Sequence, residues 1–226
     1  MRNPSRPVTS RQSAAHVRLD EILQRHTGSA YRKPIADRSR AVFQQLDQQR
    51  RDSGLQHVVL DAGCGTGEST LEIARQNPGT FVLGIDKSLH RLRRHGISET
   101  GHLVCRGNAV LAQMDCVDCW RLAREAGWRL RQHWLLYPNP WPKPRHIMRR
   151  WHAHPVFPDL IGLGGALELR TNWRIYADEF AGAAEALVGR GGELRHWFPA
   201  EPLTNFERKY RQSRLPLYRF RLNLDQ

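Results

Sequence analysis

The sequence predicts an α/β fold, with one mostly parallel sheet of seven strands and helices on both faces. Three features of the chain point to it. From about residue 55 onward, short apolar runs bounded by turn residues alternate with helix-patterned stretches, as crossovers between parallel strands require. A turn with glycines at alternate positions separates the first such run from the first such helix. At 226 residues and 40% hydrophobic, the chain is sized for one compact domain and can fill a normal core, which excludes a wholly disordered chain.

The first fifty residues carry no strand pattern and read as a helical, basic extension (1–50) ahead of the main domain (51–226). Residues 17–24 and 39–49 have helical spacing, with Ser39 in a capping position. The basic loop Tyr31-Arg32-Lys33-Pro34 lies between them. Ahead of both, the polar stretch 1–13 lacks the apolar segment of a secretory signal and is expected to fray. The first strand is then 57–60, followed by the glycine turn and a helix over 68–76. Further strands fall at 81–85, at 102–105 and at 132–137, the last ending against a proline-rich loop. A fifth strand at 166–169 leads into a helix over 173–188 that stops at Gly189, Gly191 and Gly192. Runs at 194–197 and 217–222 close the sheet. No internal repeat or low-complexity linker interrupts the pattern.

The formal charge of +13, almost entirely from arginine, draws in phosphate polyanions. No apolar run approaches the roughly 20 residues that span a bilayer, and no basic amphipathic helix favours a membrane surface. The four cysteines, Cys64, Cys105, Cys116 and Cys119, do not form the framework of a small secreted protein. Cys116 and Cys119 have zinc spacing, but no second pair follows, and a proline after His152 and His154 spoils a metal reading there. Free thiols in a reducing cytoplasm, and no metal, are the expectation.

Chemistry concentrates in two segments. In Leu60-Asp61-Ala62-Gly63-Cys64-Gly65-Thr66-Gly67-Glu68 a strand turns into a helix, and glycines allow backbone to approach a ligand closely. The spacing is G-x-G-x-G, whereas a dinucleotide site uses G-x-G-x-x-G to cradle a diphosphate. S-adenosylmethionine carries no phosphate, so the spacing favours it over NAD. Asp86, closing the second strand, suits the two ribose hydroxyls, and Asp61 suits the ammonium of the cofactor or the orientation of the loop.

The second segment, from Tyr137 through Pro138, Asn139, Pro140, Trp141, Pro142, Lys143, Pro144 and Arg145 to His146, follows the fourth strand, where ligands of open α/β sheets bind. Prolines stiffen a polar side chain beside an aromatic plane, which suits a planar base. Lys143, Arg145, His146, Arg149 and Arg150 then interleave charge with the aromatic, as a nucleic-acid strand held by its phosphates requires.

With these segments the chain resembles the bacterial tRNA (guanine-N7)-methyltransferase family over roughly residues 58–222. The resemblance rests also on Arg170-Thr171-Asn172-Trp173 with Tyr176-Ala177, and on Thr204-Asn205-Phe206-Glu207-Arg208. It implies a Rossmann-like class I S-adenosylmethionine-dependent methyltransferase fold that methylates guanine N7 in tRNA. By position, Asp61, Gly63, Gly65, Gly67, Asp86, Asn108 and Asn139 correspond to cofactor contacts, with Asn139 also at the catalytic position. Lys143, Arg145, Asn172, Thr204, Asn205, Phe206 and Glu207 correspond to substrate contacts, and Glu207 offers a carboxylate for the guanine Watson–Crick edge. The family usually has aspartate at positions 139 and 172 and often at 108, so three asparagines set this chain apart. Methylation of an exocyclic base amine, and a catalytically silent RNA-binding paralogue, stand as alternatives. Monomer and homodimer are both open.

Overall fold

The protein is described here by a computed structural model covering residues 5–225. Eight strands form one sheet: β1 (His57–Ala62), β2 (Thr80–Asp86), β3 (Leu103–Arg106), β4 (Ala109–Gln113), β5 (Gln132–Leu136), β6 (Ala166–Thr171), β7 (Glu193–His196) and β8 (Tyr218–Asn223). Their spatial order is β3-β4-β2-β1-β5-β6-β8-β7. The five from β4 through β6 pair in parallel, while β3 pairs antiparallel with β4, and β8 antiparallel with both β6 and β7. Residues of β2 are buried throughout, the continuous apolar run expected of a strand covered on both faces.

The side-chain alternation of these strands assigns the helices to faces. Val59, Val82 and Ala109 pack with Ile73 and Ala74 of α3 (Glu68–Gln76). Val58, Leu60, Leu83 and Val110 belong to the larger core on the other face. That core contains α1 (Leu19–Thr27), α2 (Asp37–Asp52), α5 (Cys116–Glu125), α6 (Phe157–Ile161) and α7 (Arg174–Val188). A short α4 (Leu89–Leu92) follows β2, and α8 (Asn205–Gln212) precedes β8.

The count is eight strands where the sequence predicts seven, and the difference lies in one stretch. The expected third strand, 102–105, is an antiparallel edge strand, and the third parallel strand is the following run Ala109–Gln113. Arg106 pairs with Ala109 across a two-residue Gly107-Asn108 turn, and Gly107 adopts the positive φ (61°) such a hairpin needs at its first central position. Helices α5 and α8 were also not anticipated; Asp115 and Thr204 cap them by accepting the Val117 and Glu207 amides.

Two expectations about the extension are corrected. Ser39 is not a cap: α2 starts at Asp37, and the buried Ser39 hydroxyl donates to Asp118 of α5 at 2.6 Å. Residues 5–13 do not hang free. Ser5 N–H donates to Ser213 Oγ, Ser10 Oγ to the Pro142 carbonyl, and Gln12 reaches Glu179, while Val8 packs against the core. Residues 1–4, covered by the same expectation, lie outside the described residues. Among those described, no helix is long and apolar enough to cross a membrane.

Candidate functional site

The carboxyl ends of β1, β2, β4, β5 and β6 converge, and the glycine turn lies where β1 ends. Gly63, Gly65 and Gly67 have φ of 76°, 61° and 76°, which side-chain-bearing residues rarely adopt. A Cβ on Gly63 or Gly65 would meet nothing within 4 Å, so both border open space. On Gly67 it would stand 2.8 Å from Leu111 Cδ1, so that glycine serves close packing against β4 instead. The Gly63 and Cys64 amides donate to the Ile85 carbonyl at 2.8 and 2.9 Å, tying the turn to the end of β2.

Two carboxylates flank this turn as expected. Asp86 accepts from the Gly65 amide at 2.9 Å and the Ser88 amide at 2.8 Å, with Arg91 Nη1 3.4 Å away. Asp61 is fully buried; its Oδ2 accepts from Ser69 and Thr70 hydroxyls at 2.6 and 2.7 Å, and its Oδ1 has no partner. Burial pushes the Asp61 carboxyl up to about 6; the two hydroxyls oppose the shift and the Asp86 charge adds to it. An unpartnered buried acceptor is an uncommon cost in a folded protein, and a donor on a bound ligand would relieve it.

Asn108 does not join them. It lies in the hairpin turn before β4, at the amino end of the parallel strands, and its amide donates to the Ala74, Asn77 and Thr80 carbonyls at 3.3, 2.9 and 2.7 Å. It therefore ties the end of α3 to the start of β2, on the edge of the sheet away from the glycine turn. The residue at the carboxyl end of the third parallel strand is Asp115, exposed, two positions past β4, with the adjacent Met114 amide bonded to the Asp86 carbonyl. The signal was available: an apolar run followed by an acid, as at Asp86.

Beyond β5 the chain makes a strained loop. Tyr137 and Trp141 have positive φ (54° and 45°). Asn139 is exposed, and its Oδ1 accepts from the Trp141 amide at 3.2 Å. The Trp141 carbonyl receives Arg150 Nε and Nη2 at 3.3 and 3.1 Å. Arg150 is itself buried, stacked over Trp173 at 4.7 Å and paired with buried Glu179 at 2.5 Å, so it acts as an internal brace and not as a surface phosphate contact. Burial opposes charge on Glu179, yet His152 and Arg150 hold its carboxyl down at about 2. Lys143 and Arg145 remain exposed, and Arg149 lies 4.7 Å over the Trp141 ring.

The remaining predicted residues reach the same end of the sheet from β6 and α8. Asn172 is half-buried between β6 and α7. Phe206 is exposed and forms an aromatic group with Tyr137 and Tyr210, ring centroids 6.3 and 6.0 Å away. Asn205 turns toward α3, donating to Glu68 at 2.6 Å, where Arg208 also binds at 2.8 Å. Glu207 is completely buried: Oε1 accepts from Tyr137 Oη at 3.0 Å and Arg170 Nη1 at 2.6 Å, and Oε2 from the Leu203 amide at 2.6 Å. A base edge would have to displace one of these donors. Glu179 escaped sequence reading, and so did the buried roles of Arg150, Tyr137 and Arg170, because they depend on partners far away in the chain.

The site thus combines an open, glycine-lined turn between two acids with a rigid polar loop and an exposed aromatic group. The family model described as "Putative methyltransferase" matches residues 55–220. Named relatives are the tRNA (guanine-N(7)-)-methyltransferases of Halorhodospira halophila, 36% identical over 57% of this chain and 55% of that protein, and of Leifsonia xyli, 29% identical over 67% and 69%. The chain spans little more than half the length of the first of these. Among solved structures, the 16S rRNA methyltransferase KamB aligns with a TM-score of 0.57 at 19% identity over 86% of this chain and 96% of that one. The 16S rRNA (adenine(1408)-N(1))-methyltransferase from Catenulisporales acidiphilia, solved with cosubstrate SAM, aligns at 0.51 and 15% identity over 77% and 89%. Such likeness shows a shared fold, the class I methyltransferase sheet with β3 added at its edge. With the family match running from just before β1 to the middle of β8, the chain belongs to that methyltransferase family.

Proposed function

We propose that this protein transfers a methyl group from S-adenosylmethionine to N7 of guanine in tRNA. The observation that carries this reading is the pairing, at one end of the sheet, of the Asp61–Asp86 glycine turn with the Asn139 loop and the exposed Phe206 on α8. The residues present fit the cofactor. Gly63 and Gly65 border open space, Asp61 Oδ1 lacks a donor, and Asp86 and Asp115 stand at neighbouring strand ends for ribose and adenine. Bound there, the cofactor supplies an electrophilic methyl on a sulfonium.

Guanine N7 is a lone pair with no proton to lose, so the protein needs no general base. Its task is alignment and tolerance of the positive charge that passes to the purine. The prolines hold Asn139, whose amide offers an oriented acceptor without a charge. Lys143 and Arg145 take flanking phosphates, and Phe206 offers a face to an extruded base. Thr204 acts at one remove, by capping the helix that carries Phe206. A tRNA substrate sets the activity in the cytoplasm.

Incubation with bulk tRNA and labelled methyl donor, followed by nucleoside analysis, is expected to yield 7-methylguanosine. N6-methyladenosine in its place would sink the assignment. The neutral Asn139 and Asn172 favour one second reading, a silent RNA-binding paralogue; calorimetry showing no cofactor binding, with tRNA binding intact, would support it.

A further inference from the structure

We propose that residues 5–16 form a strap across the methyl-acceptor mouth, and that Gln12 is a positioning residue acting through Arg150 on the Trp141 carbonyl. The inference concerns the same site as the tRNA reading and rests on it for the activity measured.

The strap has three moorings. At its start the Ser5 amide donates to Ser213 Oγ at 2.9 Å, just past the end of α8. In the middle Ser10 Oγ donates to the Pro142 carbonyl at 2.5 Å and accepts from the Gln12 amide at 3.0 Å. At its far end Gln12 Nε2 and the His16 amide donate to Glu179 Oε1 at 2.6 and 2.8 Å. The segment therefore joins α8, the proline loop and α7, and the first two carry most of the proposed substrate contacts.

Gln12 occupies the pivotal position. Its amide donates to Glu179 with one atom and accepts from Arg150 Nη2 at 2.9 Å with the other, so one side chain grips both members of a buried ion pair. Arg150 in turn directs Nε and Nη2 at the Trp141 carbonyl. Trp141 sits at φ 45°, a conformation that persists only when its surroundings hold it, and its amide is the donor that fixes Asn139 Oδ1. A continuous set of hydrogen bonds thus runs from Gln12 through Arg150 and Trp141 to Asn139. A methionine at position 12 keeps the length and removes both of these bonds and a local one from Nε2 to the Ala14 carbonyl, leaving Arg150 with one partner fewer and Glu179 Oε1 with only the His16 amide.

The test compares full-length Gln12→Met with the parent. Turnover on tRNA is expected to fall about tenfold, because misplacing a catalytic group by a fraction of an ångström costs rate before it costs binding. The KM for tRNA and the calorimetric Kd for S-adenosylmethionine are expected to stay within about twofold. Amide hydrogen exchange is expected to quicken over residues 139–150 and not in β1 or β2. Parent-like turnover together with parent-like exchange over 139–150 would overturn the proposal. If Gln12→Met loosens the whole sheet, Ser10→Ala, which cuts the rim mooring and the local bond to the Gln12 amide but leaves the Gln12 side chain in place, decides: faster exchange confined to the loop supports the strap, and none refutes it. Should the parent fail to methylate tRNA, the functional reading falls, while the exchange comparison still judges the strap.

Discussion

In the free protein Asp61 keeps its proton up to about pH 6, against 3.8 for an ordinary aspartate, because burial outweighs the two hydroxyls that hold it. The sign has two consequences. The folded chain binds this proton more tightly than the unfolded one, so stability of the free protein falls as pH rises from 3.8 through about 6, by about 3 kcal/mol from this group. A cofactor ammonium favours the carboxylate, so binding near pH 5.5 should release a proton, and affinity should weaken up to about tenfold per unit of pH below 6. Calorimetry in buffers of different ionisation enthalpy reads the proton directly; a pH-independent affinity for the parent, or an Asp61→Asn variant with the same pH dependence, would contradict it. At Asn139 the missing quantity is charge. Asn139→Asp is expected to raise turnover on tRNA about tenfold by stabilising the cationic purine, and Asn139→Ala to lower it about 100-fold. Steady-state rates on one tRNA preparation check both.

At the scale of elements, β2 and α3 meet so closely at Gly84 that an added Cβ forces its neighbours to shift. A Cβ there would stand 2.2 Å from Thr70 Oγ1 and 2.8 Å from Leu111 Cδ2. Gly84→Ala should cost about 1–3 kcal/mol in urea unfolding, and because Thr70 also holds Asp61, it should weaken cofactor binding as well. Parent-like stability would show that α3 can shift freely. The elements also show where sequence reading succeeds and where it stops. Strands β1, β2, β5 and β6 were legible because long apolar runs end in distinct turns. The error at β4 came from four apolar residues, Ala109 to Ala112, wedged between a Gly-Asn turn and the approach to a helix cap, a run too short for periodicity to distinguish from a helix start. Asn108, matched to a cofactor contact by resemblance, lies in the two-residue turn that reverses the chain, on the far edge of the sheet from Asp115. Glu207 was readable as an important carboxylate but not as a buried one. Its partners, Tyr137 and Arg170, lie 70 and 37 residues away.

Over the whole molecule, a charge of +13 sets the expectation for RNA binding, but the arginines do not all serve it in the same way. Arg150 and Arg170 are buried in ion pairs, and Arg208 clamps α8 to α3. Lys143 and Arg145 stand exposed beside the Asn139 loop. Replacing both by glutamine should weaken tRNA binding and reduce the log–log salt slope by about 2, with cofactor affinity unchanged. Filter binding across a salt series measures this; an unaltered slope would place the phosphate contacts elsewhere.

The strap adds a constraint in time. Ser5 and its partner Ser213 stand 208 residues apart, and Ser10 waits 132 residues for Pro142. A segment that leaves the ribosome ahead of the sheet therefore meets its last partner only after all the parallel strands have emerged. The parallel strands through β6 can pair before Ser213 exists, yet the moorings around Asn139 stay incomplete until Ser213 has emerged. A nascent chain can thus hold its sheet well before it presents a finished acceptor mouth to RNA.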